Sequence, residues 1–482
     1  MDASNTILNP TTGWILLAIF GVLWVALGVF WGRKAKNLDG FMLAGRNVGL
    51  ALGAATAMAT WVTSNTVMLA PKFALQMGIW GMLAYATASF GLFLFAPMSM
   101  RIRKLMPKGY TSGDFVRLRY GKLAWGLFLL ISIVYSMAWL VSMGMAGGIV
   151  LNALSGIPYE YGMSVILLVC VLYTLFGGLY AVIGTDFIQS VIILIGVIVV
   201  GGMVLSQVEL QQVYTNLSEH QPALLDVLMP VALLSLFNNM FFGFGEVFHN
   251  NVWWSRAFAM REGVSMKAFA LAGLFWLPIP VAAGFIALAS GALGINVTDP
   301  DMIGPLVAAN VLGPIGALIV FVVVFCSLGS SIDSLLAATS DLIAEDVYKK
   351  MLNPSVSEPR LRQISSWIII GLGLVTWCIC LPRPGDLLVV LFLSGPLVGS
   401  AIWPIIAGLY WKNANAVGAV TAMILGSGVG LFAYYHPALG WYTASLIATA
   451  VSMVVVCLST WLVPQPFHWN TLNEKHLPDT VS

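Results

Sequence analysis

The chain has 482 residues, of which 59% are hydrophobic and only 9% charged, with a formal net charge of +2. Soluble domains carry about a quarter charged residues, so this composition excludes them and defines an integral membrane protein. Alternating apolar–polar strand patterns are absent, which excludes an outer-membrane barrel and leaves an all-α protein.

Apolar runs recur at about 20 residues, the length a helix needs to cross a bilayer. Thirteen spans are predicted, near 13–32, 47–73, 78–100, 123–150, 162–183, 184–206, 228–249, 266–292, 309–343, 365–382, 386–410, 416–435 and 441–463. Asp2 is the only charged side chain ahead of the first run, which therefore reads as a true span with an outside amino terminus and not as a cleaved leader. In that orientation 20 of the 22 basic residues fall inside, including Arg33, Arg46, the cluster from Arg101 to Lys122, Arg256, Lys349, Lys350, Lys412 and Lys475. Only Lys72 and Arg383 fall outside, together with Glu160, Glu209, Glu219, Asp226, Asp299 and Asp301. This asymmetry follows the positive-inside rule and predicts a cytoplasmic carboxyl terminus in a cell membrane. The cluster RIRKLMPKGYTSGDFVRLRYGK is then an inner loop meeting anionic headgroups rather than a nucleic-acid patch. All five cysteines lie in predicted spans, with neither a disulfide framework nor zinc-ligand spacing.

Three spans carry polar residues where lipid-facing helices have none. The second contains ATWVTSNT (59–66), with Thr60, Thr63 and Ser64 on one helical face and Asn65 beside them. The seventh contains NNMFFGFGEVFHNN (238–251), where Gly243, Gly245 and Glu246 suit a broken helix better than a continuous one. In the ninth, Ser327, Ser330, Ser331 and Ser334 repeat at i, i+3, i+4 and i+7 and form one stripe, with Asp341 close to the same line. Small hydroxyl residues allow close helix packing, but they also supply the oxygen ligands that hard cations take. Asp333 favours the cation reading, since a mid-span carboxylate costs about 2.5–3.5 kcal/mol and such residues face cavities or pathways.

The second and seventh spans are five apart. Two inverted five-span repeats would set their interrupted helices face to face, the arrangement expected of a secondary transporter. Metalloprotease, Walker and nucleophile-elbow motifs are absent, so no enzyme activity is expected.

Four stretches resemble the sodium/solute symporter family, most closely its urea-transporter branch. They are FMLAGRNVG (41–49), VLYTLFGGLYAVIGTDFIQSVIILIG (171–196), NNVWWSRAFA (250–259) and SSIDSLLAATSDLIAEDVYK (330–349). The resemblance implies a LeuT-type fold of about thirteen helices, with an added first span (13–32), repeats at 47–206 and 228–410, two further spans (416–463) and a cytoplasmic tail (464–482). It also implies a sodium site between spans two and nine. Carried over by position, the ligands are the carbonyls of Ala59, Val62 and Ser327 and the hydroxyls of Ser330 and Ser331, with Asp186 at the inner end of the ion route. Two positions depart from the family pattern. Trp61 stands between the carbonyl donors, and Glu246 lies where urea carriers have an uncharged residue.

The expected function is sodium-driven symport of a small, polar, nitrogen-rich solute, urea or a close analogue, with no bound cofactor. The solute is expected between the broken second and seventh helices, near Thr63, Asn65, Phe244, Glu246, Asn250 and Asn251, with Tyr135 and Trp139 as an apolar wall. One rival keeps the fold and couples small amines to protons through Glu246, Asp333 or Asp341. Another is a transporter-like solute sensor, disfavoured because no signalling domain is read in the chain.

Overall fold

Apolar runs punctuated by side-chain caps fold this chain into helices. The computed structural model describes residues 7–295 and 300–474; Asp2, Asp299, Lys475 and the rest of the predicted tail beyond Glu474 lie outside the described residues. The first part of the chain contains α1 (Pro10–Gly32), α2 (Leu38–Leu43), α3 (Leu50–Trp61), α4 (Ser64–Ala86), α5 (Ser89–Leu105), α6 (Ser112–Tyr120), α7 (Lys122–Ser155) and α8 (Tyr159–Gln207). There follow α9 (Leu210–His220), α10 (Pro230–His249), α11 (Asn251–Ala259), α12 (Ser265–Trp276), α13 (Pro278–Ala289) and α14 (Ile303–Leu342), which continues as a π-helical turn, Ile343–Leu352. The remainder is α15 (Glu358–Cys380), α16 (Leu387–Phe392), α17 (Gly395–Tyr410), α18 (Ala416–Tyr435), α19 (Trp441–Leu462) and α20 (Thr471–Glu474).

Among the described residues, 11 helical segments are long and apolar enough to cross a membrane. The sequence predicts more because two of these segments each carry two predicted spans. α8 has 49 residues and would be about 74 Å long if straight, more than twice the hydrocarbon thickness. It folds back at Gly178 (φ 52°, ψ −143°). A Cβ placed on Gly329 of α14 would lie 2.8 Å from Gln189 and 3.3 Å from the Tyr173 hydroxyl, so both arms of α8 meet the same point. The predicted boundary at 183/184 is therefore corrected to Gly178. Only glycine fits there, because φ is positive and a Cβ would sit 2.4 Å from the Phe41 carbonyl oxygen. The segment Ser64–Leu105 turns likewise at Gly78 (φ 63°), where the third span was predicted to begin.

Two spans are broken in mid-course. Between α3 and α4, Val62 leaves the helical region (φ −80°, ψ 84°), and Thr63 and Thr66 form a capping box that starts α4. Between α10 and α11 the break is Asn250, whose side chain accepts a hydrogen bond from the Val252 N–H. The expectation that Gly243 and Gly245 interrupt the seventh span is overturned, since α10 runs through both. They are points of close approach instead: a Cβ would lie 2.7 Å from the Ala88 Cα at Gly243 and 2.6 Å from the Val398 carbonyl at Gly245. α14 packs on α8, α7, α3 and α4, while α10 lies against α4, α5, α17 and α19.

Candidate ion and solute sites

α14 lays its serine stripe against the end of α3. Because Thr63 commits its N–H to the Thr66 hydroxyl, the last carbonyls of α3 are open to other donors. Ser330 Oγ donates to the Ala59 carbonyl at 2.9 Å and lies 3.2 Å from the Ser327 carbonyl. Ser331 Oγ donates to the Thr60 carbonyl at 3.0 Å. Ala59, Thr60, Ser327, Ser330 and Ser331 are all fully buried. Val62 sits at the break itself, so its carbonyl no longer points along the helix axis. The result is a patch of carbonyl and hydroxyl oxygens with no formal charge, which is the donor type a hard monovalent cation takes.

The next layer along α14 is cationic. Ser334 Oγ donates to the Ser330 carbonyl (2.6 Å) and meets Thr60 Oγ1 at 3.0 Å. Arg256 of α11 reaches both, with Nη2 2.7 Å from each hydroxyl oxygen. Its Nε donates to Thr56 Oγ1 (3.1 Å), and Nη2 lies 3.3 Å from Asp186 Oδ2. The Thr56 hydroxyl donates to the same Asp186 oxygen over 2.5 Å. Asp186 is thus completely buried and ion-paired behind the oxygen patch. Positive-inside counting assigned Arg256 to an inner segment; the side chain is wholly enclosed, and sequence reasoning missed its buried partners.

Beside the first break, and reaching α10, lies a cavity of about 30 Å³ lined by Trp61, Thr63, Asn65, Tyr85, Ala88, Tyr135, Trp139, Asn239, Phe242, Trp276, Leu391 and Phe392. No formally charged side chain lines it. Asn65 pairs with Ser142 (Nδ2 to Oγ 3.0 Å), and Asn239 turns its amide N–H to the Ser235 carbonyl at 3.1 Å. Trp276 closes the end of α3 by donating from Nε1 to the Trp61 carbonyl at 2.7 Å.

Of the sequence-derived solute candidates, Thr63 and Asn65 line this cavity, with Tyr135 and Trp139 on its wall. Phe244 stacks on Phe248 at 5.9 Å, away from it. Glu246 is fully buried and accepts both of its hydrogen bonds from the Trp253 indole, at 3.0 and 3.1 Å. Trp253 stands between Glu246 and the cavity residue Trp61, against which it packs edge-on at 5.2 Å. Asn250 caps α11, and Asn251 joins the Ala338 carbonyl to the Ser112 N–H. Asn239, Tyr85, Phe242, Trp276 and Phe392 were missed. Asn239 had a signal, as one of the amides clustered at the seventh span.

Two broken spans, one of them with helix-end oxygens beside an aromatic cavity, are the features of a secondary transporter of the LeuT type. The chain belongs to the Sodium:solute symporter family, whose sequence profile matches residues 41–426. It is 25% identical to the Urea active transporter of Saccharomyces cerevisiae, over 95% of this chain and 69% of that protein. Similarity to the Urea-proton symporter DUR3 of Oryza sativa subsp. japonica is 26%, over 97% and 73% of the two chains. The Sodium/pantothenate symporter of Escherichia coli is 28% identical, over 85% and 87%. Among solved structures, a Na+-coupled sialic acid symporter in a substrate-bound outward-open state superposes with a TM-score of 0.79 at 17% identity, over 94% and 99% of the chains. Mhp1, a nucleobase-cation-symport-1 family transporter, gives 0.54 at 16% identity, over 90% and 98%. The protein is accordingly a multi-pass membrane symporter that moves a solute together with a coupling ion, and not an enzyme.

Proposed function

We propose that this symporter uses inward sodium flow to accumulate a small, neutral, planar amide of the urea class. The observation that carries the ion half is the approach of the Ser330 hydroxyl on α14 to the Ala59 carbonyl near the end of α3, at 2.9 Å. In this reading the carbonyls of Ala59, Val62 and Ser327 and the hydroxyls of Ser330 and Ser331 hold sodium, and Asp186 receives it on the way in. The repeats at 47–206 and 228–410 rock around this site, with the amino terminus outside and the carboxyl terminus in the cytoplasm.

The cavity supports the solute half. At about 30 Å³ it has room for two or three water-sized groups, hence a solute of few non-hydrogen atoms. Aromatic faces suit a flat molecule, and Thr63, Asn65 and Asn239 offer neutral donors and acceptors at the rim. A competition panel on purified protein tests this: urea and acetamide are expected to displace one another, while methylammonium and guanidinium do not. Displacement by the cations but not by urea would contradict it.

A second reading is proton coupling. Glu246 is buried with an indole as its donor and no cation against it, and a relative carries the name urea-proton symporter. Its mark would be uptake that follows a pH gradient and loses that dependence in Glu246→Gln.

A further inference from the structure

Asp333 lies one turn beyond Ser330 on α14 and is completely buried. Neither of its carboxylate oxygens accepts a hydrogen bond at ordinary geometry. Four titratable or charged groups face it: Cys170 and Tyr173 from the first arm of α8, Asp186 from the second, and Arg256 from α11. None of them makes a direct ion pair or an ordinary hydrogen bond with it. The Tyr173 hydroxyl donates its proton to the Gly329 carbonyl at 2.8 Å. Arg256 is ion-paired with Asp186 and also donates to Thr56, Thr60, Ser334 and the Val252 carbonyl. Two carboxylates therefore face one guanidinium, and the enclosed cluster is short of one positive charge.

A bare carboxylate in a low-dielectric interior is among the most unfavourable groups a protein can bury, and it is neutralised there by a proton or by a cation. The oxygen patch supplies the place. Residues three apart on a helix have Cβ atoms roughly 5–6 Å apart, which sets Asp333 beside Ser330 and within electrostatic reach of an ion held there. The carbonyls and hydroxyls of that patch select a hard cation by geometry but carry no net charge themselves.

We propose that Asp333 is the countercharge of the coupling cation, the residue whose field gives the neutral oxygen patch its affinity for sodium. Arg256 and Asp186 cancel each other; Asp333 and the bound ion cancel each other. The ion-free cluster has a charge of minus one and the loaded cluster is neutral, so loading the ion is what relieves the buried charge. This assignment rests on the sodium reading above.

Thermal unfolding of the purified full-length protein in detergent tests it, with sodium chloride titrated against N-methylglucamine chloride at constant ionic strength. The wild-type midpoint is expected to rise with sodium. Asp333→Asn should start from a higher midpoint without sodium, because an uncompensated charge is gone, and should need roughly tenfold more sodium or beyond for its half-maximal rise. Asp333→Glu, which keeps the charge, should respond within about threefold of wild type. An Asn variant with the wild-type sodium midpoint and a lower stability at every concentration would reduce Asp333 to a structural role. An Asn variant that fails to fold would contradict the proposal as well, since a neutral side chain of the same shape should relieve the cluster. A wild type that ignores sodium and responds only to pH would instead overturn the sodium reading itself.

Discussion

Arg256, fully buried, makes its side-chain hydrogen bonds to hydroxyls of α3 and α14, to a carboxylate of α8 and to the Val252 carbonyl. Breaking a buried ion pair by removing one partner leaves the other uncompensated, typically at about 3–5 kcal/mol. Arg256→Ala should therefore lower the thermal unfolding midpoint sharply, and Asp186→Asn in the same chain should recover much of the loss. Arg256→Lys keeps the charge but not the planar fork, so transport should fall while stability is largely retained. At the oxygen patch, Ser330→Ala and Ser331→Ala each remove a hydroxyl. Sodium-dependent uptake should shift to higher half-saturating sodium, by roughly tenfold, on the scale of 1–2 kcal/mol for a lost polar contact. Unchanged sodium dependence in both would remove them from the site. The serine stripe was legible because i, i+3, i+4 spacing marks one helical face whatever the fold. Arg256 was not, because counting basic residues by loop cannot distinguish a headgroup contact from a buried partner of Asp186.

The half-helices carry the mechanics. The α3 and α11 pieces are tied at the same end, where the Val48 N–H donates to the Ala259 carbonyl and the Arg261 N–H to the Val48 carbonyl, each at 3.0 Å. Across the α10–α11 break, Glu246 and Trp253 form the strut. Trp253→Phe keeps the ring packing but leaves the carboxylate without donors. It should destabilise the protein by about 1–3 kcal/mol, and Trp253→Phe with Glu246→Leu should be less damaging than Trp253→Phe alone, as read by unfolding midpoints. Polar residues inside apolar runs announced both broken spans. The position of the second break did not follow from glycine content, because glycine serves bending and close packing alike. At Gly243 and Gly245 the neighbours are backbone atoms of Ala88 and Val398, contacts visible only once the helices are assembled.

Across the whole molecule the cavity is flanked by aromatic rings at two ends. Trp61 and Trp253 lie at one end, while Phe392 packs with Phe242 at 5.0 Å, Trp441 at 5.2 Å and Phe73 at 5.9 Å at the other. Next to Phe73, Lys72 joins α4 to Asp301 at 2.9 Å and to Asp386, just ahead of α16, at 2.5 Å. Lys72 and Asp301 were both predicted on the outer side, and their pairing explains why a basic residue is tolerated there. The aromatic roof itself was not legible, since aromatic residues at helical spacing are ordinary packing until four helices bring them together. Lys72→Met should loosen this end. In a cysteine-free background carrying Ala88→Cys on the cavity wall, a membrane-impermeant thiol reagent applied outside should react several-fold faster than with Lys72 intact. An unchanged rate would argue against a latch. The most direct test of sodium-driven symport is uptake of labelled urea into proteoliposomes under an imposed sodium gradient at equal pH. Accumulation above the external concentration, abolished when the sodium gradient is collapsed, is the predicted result. Accumulation that ignores sodium and follows an imposed proton gradient would contradict it.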